Sequence, residues 1–303
     1  GAGLNFMHIE VELGNALDVG SIVNYAYGGG GSTATGLPAV SNPATDGFSD
    51  VTGDNWGFGW NIGALFSFND ERTRFGIAYR SLIETTMDVT LATSTPAFEF
   101  QLGPIPVSAP AISQKAKGET TIDIPATVVL GFNHDFNAQW TVLAGAVWTH
   151  WKSTFAKVEL DLDTGEQIVQ PENWDDSWAF QLGAEYNISP QWTLRAGYEL
   201  DYSPVSAQDD TARTPDADKQ FLALGFTYTS SFGLAVDFSY SRVMVDKLEI
   251  TEKEIFTEQA GAILAGQLPG ADASLLEGVG NTINGNYNDS GASIYSLGVR
   301  YSF

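Results

Sequence analysis

The sequence predicts an all-β protein, an antiparallel transmembrane β-barrel with about ten strands in this chain, and three observations carry that prediction. Apolar and aromatic residues alternate with small or polar ones at a period of two, stretch after stretch, as strands with two differently solvated faces require. The connections alternate strictly between short turns and long loops. The last strand puts Tyr295, Leu297, Val299, Tyr301 and Phe303 on one face and Ser296, Gly298, Arg300 and Ser302 on the other. It ends on an aromatic, where a solvated terminus is ordinarily polar and frayed.

Taken in order, residues 2–13 read as a strand whose facing stays open, because Met7, Ile9 and Val11 alternate while Leu4 and Phe6 fall on the other parity. Residues 14–53, rich in Gly, Ser, Thr and Asn and including Gly28 to Gly31, read as a large surface loop. From 54 the pattern sharpens: Trp56, Phe58, Trp60, Ile62, Ala64, Phe66 and Phe68 share one parity, and after the turn at 69–72 Phe75, Ile77 and Tyr79 begin the return. The same grammar repeats three times. Ile122 to Phe132 turns at 134–138 into Trp140 to Trp148; Trp178 to Ile188 turns into Trp192 to Tyr202; Leu222 to Tyr228 turns into Phe232 to Tyr240.

Short turns at 69–72, 134–138, 188–191 and 229–231 fall on the side of the C-terminus, and long loops at 14–53, 92–118, 162–174, 204–217 and 251–285 fall on the other. That is the outer-membrane arrangement of short periplasmic turns and long extracellular loops. A soluble sandwich would show alternation too, but its loop lengths need not segregate by end. Each apolar stretch is close to the roughly 9–11 residues that a tilted strand needs to cross hydrocarbon. Trp56, Trp140, Trp148, Trp178, Trp192, Tyr186, Tyr202 and Tyr228 stand near stretch ends, where aromatic girdles belong.

Composition narrows the function. With 14 Lys and Arg against 37 Asp and Glu, the net charge of −23 speaks against nucleic acid and against an anionic cytoplasmic leaflet. No run of eighteen apolar residues occurs, so no spanning helix is expected, and a mean hydropathy near zero fits strands that give lipid only alternate residues. The 303 residues contain no cysteine, which suits an oxidising compartment.

The segment Gly197 to Gln208, followed by Thr214 to Phe221 and Leu224 to Tyr228, resembles the long-chain fatty acid outer-membrane transporters of the FadL/TodX type. Its specific part is Asp201-Tyr-Ser-Pro204 together with Pro215-Asp-Ala-Asp218. Trp56 to Gly63, Ala78-Tyr-Arg-Ser81 and Trp148 to Phe155 are similar as well, so the likeness covers 54 to 303. The resemblance implies a fourteen-stranded barrel plugged by an N-terminal hatch. It would pass fatty acids or other hydrophobic compounds from outside and release them through an opening in the wall. With 1–303 read as a single barrel domain of about ten strands, the hatch and roughly four preceding strands have no counterpart, and the closing strand is expected to pair with a strand the sequence does not contain. Asn42-Pro43-Ala44 echoes a hatch motif but falls in a loop, and is read as chance.

Inward positions on the regular strands are Asn61, Arg80, Asp123, Gln181, Glu185, Arg195, Glu199, Asp237 and Arg300. Charges at that depth pair across the lumen and stiffen the wall. The functional alternative is that an arginine holds a ligand carboxylate by a bidentate contact. Arg80, Arg195 and Arg300, with Asn61, are the candidate ligand-binding residues. Glu10 and Glu12 in the first strand stand where a basic residue would suit a fatty acid, leaving room for an uncharged hydrocarbon. Inward glycines, Gly57 and Gly59 among them, fit a crowded interior, space for a ligand or a kink. Pro125 lacks a ladder donor inside a strand and marks a gap in pairing, which the resemblance makes a candidate wall kink.

Ile255, Phe256, Ile263 and Leu264 lie at helical spacing in the loop 251–285, as an amphipathic helix that packs over the mouth or offers a greasy, ligand-collecting surface. Asp161 to Glu166 lacks the full calcium-loop pattern and reads as a hairpin tip. The three histidines, His8, His134 and His150, accompany no catalytic motif, so no catalytic residue, metal or cofactor is expected. Expected partners are a long-chain fatty acid or another hydrophobic small molecule, outer-membrane lipid and lipopolysaccharide, and the barrel-assembly machinery reading the strand that ends at Phe303, around a monomer. A general porin with a wet, open lumen is the alternative, and an outer-membrane lipase or acyltransferase the enzyme alternative.

Overall fold

The computed structural model describes residues 1–27, 42, 44–102, 104–253, 261, 264–266, 268, 270–277 and 282–302. Ile255, Phe256, Ile263, Phe303 and Pro43 of the Asn-Pro-Ala echo lie outside them. Strand β1 (Ala2–Leu17) leads through helix α1 (Val19–Ala26) to β2 (Gly47–Phe68). There follow β3 (Thr73–Arg80), β4 (Thr86–Thr95), β5 (Phe98–Leu102), β6 (Ile105–Ala109), β7 (Ile112–Thr121), β8 (Thr127–Asp135), β9 (Trp140–Thr149), β10 (Lys157–Leu162) and β11 (Gln167–Pro171). The chain continues with β12 (Ser177–Asn187), β13 (Trp192–Asp201), β14 (Lys219–Thr229), β15 (Leu234–Val245), β16 (Leu248–Lys253), β17 (Thr282–Tyr287) and β18 (Gly291–Tyr301).

Ten of these strands form the wall, in the antiparallel order β1, β2, β3, β8, β9, β12, β13, β14, β15, β18. This is the expected number and direction. Among the described residues no ladder joins β18 to β1. Four further strands, β4, β7, β10 and β11, continue the sheet outward from the upper half of β2, where Phe48 to Gly53 pair with Val89 to Ser94. The connections at 14–53 and 92–118 are therefore less loop than expected. Strand β1 stays paired with β2 as far as Leu17↔Gly47, and β4 and β7 pair over ten residues from Thr86↔Thr121 to Thr95↔Ile112. Met87, Val89 and Leu91 alternate with Asp88, Thr90 and Ala92 on β4, a strand signal that a reading centred on aromatics passed over. Asp161 to Glu166 is the tip of the β10–β11 hairpin, with Gly165 at φ +89°.

The facing of β1 follows from its register. Cross-strand neighbours share a face, and Phe6 pairs with Phe58, their rings 5.3 Å apart, while His8 lies over Trp56 at 5.1 Å. Leu4, Phe6 and His8 thus stand on the outer face with Trp56, Phe58 and Trp60. Glu10 and Glu12, opposite Asp54 and Thr52, stand there too. They do not enter the lumen.

The aromatic face carries ring pairs near both ends of the wall. Trp140 with Tyr186 (4.5 Å) and Trp192 with Tyr228 (4.9 Å) lie toward the short turns; Trp178 with Phe180 (5.8 Å) lies toward the long loops. Trp140, Trp178, Phe180, Trp192 and Tyr228 are exposed on that face, as a lipid-facing girdle requires.

Above the wall, the connections carry their own apolar core. Leu17, Val19, Ile22 and Val23 from the start of the chain pack with Phe98 and Phe100 of β5 and with Leu264, Ala265, Leu268 and Leu276 of the 264–276 connection. Gly261, Leu264 and Ala265 are helical as expected, and Leu264, 2% exposed, faces this core rather than solvent. Of the four residues expected on that helix, Leu264 alone falls among the described residues, and it packs in this core.

Candidate functional site

The wall is broken at one level. Between β3 and β4, and between β7 and β8, residues 81–85 and 122–126 leave the regular ladder and run side by side. Ile83 and Ile124 exchange both backbone hydrogen bonds at 3.0 Å, and Ile122 N–H donates to Thr85 O at 3.0 Å. Pro125 sits in the second segment, in the pairing gap its missing donor predicts. Asp123 spends its carboxylate on the Thr85 N–H at 2.9 Å. On β2, the Ser81 hydroxyl accepts from Trp60 N–H at 2.9 Å and Asn55 Nδ2 donates to Thr86 O at 2.5 Å, so side chains splice the ladder where backbone does not.

The break also exchanges the two faces. Tyr79 shares the outer face with Trp60 (rings 5.3 Å apart), so Arg80 points inward, yet Ile83, Thr85 and Met87 point inward as well. Beside them, Ile122 joins the inner cluster of Met87, Val89, Leu91, Leu160 and Leu162, whereas Val128 and Phe132 pair with outward Tyr79 and Phe75. The uniform parity expected from Ile122 to Phe132 is therefore wrong at its start. A strand period cannot reveal an interruption whose residues on both sides are apolar.

Gly57 and Gly59 make room for this arrangement. A Cβ on Gly57 would lie 2.4 Å from Ile83 Cγ2 and 2.5 Å from Thr85 Oγ1; one on Gly59 would lie 2.6 Å from Ile83 Cγ1. Ile83 is 1% exposed, so the break is sealed by a side chain seated on two bare backbone positions.

Below the break lies a cavity of about 970 Å³ within the wall. Leu65, Val129, Leu143 and Phe221 line one part of it, and Arg195, Glu185 and Asp237 line another. Arg195 Nε donates to Glu185 Oε2 at 2.7 Å and Nη1 to Thr227 Oγ1 at 2.6 Å; Thr227 donates to Asp237 Oδ1 at 2.5 Å; Arg300 Nε donates to Asp237 Oδ2 at 3.0 Å. The chain of bonds ties β12, β13, β14, β15 and β18 together, as expected for inward charges that stiffen a wall. Arg80 differs: among the described residues it makes no ion pair and no hydrogen bond through its guanidinium, and its cross-strand neighbours are Asn61 and Thr127. Asn61 Nδ2 donates to Asn5 Oδ1 at 3.2 Å. The inward apolar residues Leu65, Val129, Leu143 and Phe221 escaped the sequence reading. Their signal was an apolar side chain on the parity otherwise held by glycine and charge.

The Asp-x-Ser-Pro and Pro-Asp-x-Asp segments meet above the cavity. Ser203 N–H donates to Asp218 Oδ1 at 2.8 Å, the Ser203 hydroxyl to Asp216 Oδ2 at 3.0 Å, and Lys219 pairs with Asp216. Asp175 N–H donates to Pro204 O at 2.8 Å. The motif fixes the β13–β14 connection to the rim. His150 Nδ1 bonds Asp176 at 2.8 Å, and Ser153 donates its hydroxyl to the His150 carbonyl.

A wall of antiparallel strands with an aromatic outer face, short turns at one end, capped loops at the other and a partly apolar lumen defines an outer-membrane β-barrel. The chain belongs to the family described as outer membrane protein transport protein (OMPP1/FadL/TodX), which matches residues 1–303. It is 28% identical to a long-chain fatty acid transport protein of Escherichia coli over 73% of this chain and 50% of that protein. It is also 28% identical to outer membrane protein P1 of Haemophilus influenzae over 82% and 48%. The chain thus spans about half the length of these relatives. Among solved structures, a Pseudomonas aeruginosa FadL homologue superposes with a TM-score of 0.70 at 22% identity, covering 99% of this chain and 63% of that one, a likeness of fold.

Proposed function

We propose that this protein passes long-chain fatty acids, or hydrophobic compounds like them, across the outer membrane by diffusion through the lumen, with release sideways at the wall break. The observation that carries this reading is Arg80. Among the described residues it is an inward-facing cation with no ion pair, beside the cavity rather than in its lining, between the apolar cluster around Met87 above and Leu65 and Val129 below, while Arg195 and Arg300 are consumed by carboxylates. A carboxylate has one unclaimed bidentate partner there and its chain has apolar wall on either side. The names of the relatives, long-chain fatty acid transport protein among them, support the same substrate class. Pro125 and residues 81–85 and 122–126 supply the exit, because that part of the wall is held by few backbone bonds and a removable plug, Ile83.

Proteoliposomes containing the chain should take up a labelled long-chain fatty acid well above empty vesicles and should not admit a small sugar. Sugar flux without fatty acid uptake or binding would instead establish a general porin.

A further inference from the structure

We propose that Glu172 and Arg213 form a proton-operated latch on the extracellular mouth of the barrel. The β13–β14 connection reaches across to β1, six strands away in wall order, where Arg213 hydrogen-bonds the Asn15 side chain. At the same place Ala212 N–H donates to Glu252 Oε2 of β16 at 2.8 Å, the Tyr287 hydroxyl of β17 donates to Ala212 O at 3.4 Å, and Asn173 Nδ2 donates to Asp209 Oδ1 at 2.9 Å. Elements from five parts of the chain meet around one short segment, so parting them opens the mouth.

Glu172 lies at the centre of that junction, 8% exposed. Thr214 and Trp174 stand beside its carboxylate, and Oε2 is buried with no hydrogen-bond partner among the described residues. A buried, half-satisfied carboxylate is costly when charged and far less so when protonated. The charged groups facing it are Arg213 from the β13–β14 connection and Glu252 from β16; Asp209 and the buried Asp210 stand beside Arg213 on the same connection. Burial, the largest influence, pushes the Glu172 carboxyl above the ordinary glutamate value; Arg213 opposes that shift and Glu252 adds to it. Asp210 is pushed up as well, again chiefly by burial.

A carboxyl whose pKa is raised in the closed mouth binds its proton more tightly there than when the loops part. The closed form is therefore favoured below the ordinary carboxylate range and loses that advantage as pH rises through the raised value. Acid closes the latch, and neutral pH loosens it.

The absence of cysteine allows a clean test. Spin labels on Glu12→Cys and Gln208→Cys, both exposed positions, report the gap between β1 and the crossing loop. At pH 4.5 a single short distance is expected, and at pH 8 a longer, broader population should appear. Glu172→Gln, nearly isosteric and always neutral, should hold the short distance at both pH values. Arg213→Ala should lose the short distance at both. Resistance to unfolding in detergent confirms that each variant is a folded barrel. A wild-type distance that ignores pH, or a Glu172→Gln variant that keeps the full pH response, would overturn the latch.

Discussion

Gly57→Val is expected to destabilise the barrel at the wall break. Even the first added carbon would sit 2.4 Å from Ile83 Cγ2 and 2.5 Å from Thr85 Oγ1, closer than non-bonded atoms approach, and valine adds two more. Overpacking of a well-filled interior costs about 1–3 kcal/mol, and here the displaced group is also the plug that seals the break. Heat-modifiable migration of the folded barrel should shift to lower temperature. Ile83→Ala alone should also destabilise, by about 2–5 kcal/mol, because it leaves a void where a fully buried side chain stood. The pair together should cost less than the sum, since the new valine fills what the isoleucine vacated. Strict additivity would mean that the glycines serve some purpose other than seating Ile83.

A second large effect concerns release. Ile83 and Ile124 face one another as an antiparallel pair with both backbone bonds formed, a geometry in which the Cα atoms lie about 5.5 Å apart, inside the Cα range that disulfides span. Ile83→Cys with Ile124→Cys, in a chain that has no other cysteine, should lock the two irregular segments together on oxidation. Fatty acid uptake should fall to the background of empty vesicles and return on reduction. Fatty acid binding in the lumen should be retained, which separates a closed exit from a ruined site. Unchanged uptake by the oxidised protein would place release elsewhere.

What the sequence revealed, and what it hid, divides along physical lines. The strands that cross lipid announced themselves through period-two aromatics and short turns, and Trp56 to Phe68, Trp178 to Ile188 and Trp192 to Tyr202 stand where the pattern placed them. Inward charges were legible for the same reason: Glu185, Arg195, Asp237 and Arg300 lie on the parity opposite the girdle and meet as a wall network. The upper sheet was not legible, because its alternation is short, Met87, Val89 and Leu91 against Asp88, Thr90 and Ala92 on β4, and carries no aromatic girdle to mark it. Nor was the exchange of faces at 81–85 and 122–126, where Ile122 and Ile124 are as apolar as Val128 and only register tells them apart. Pro125 was the one local mark of that break. Which inward arginine stays unpaired is a property of neighbours distant in sequence, so Arg80 could be named beside Arg195 and Arg300 but not set apart from them.

Arg80 is accordingly where the account is most open to test. Transport by the wild-type chain and by Arg80→Ala should be compared for a long-chain fatty acid and for its uncharged methyl ester, with Arg195→Ala measured beside them. A hydrogen-bonded contact between charged groups contributes about 1.5–3 kcal/mol, so Arg80→Ala should bind and carry the acid roughly tenfold to a hundredfold less well. The ester should be unaffected, and Arg195→Ala should lose stability without losing the preference for the acid. Equal handling of acid and ester by the wild type, or an undiminished preference in Arg80→Ala, would contradict the assignment of the lumen as a passage that holds a carboxylate at Arg80.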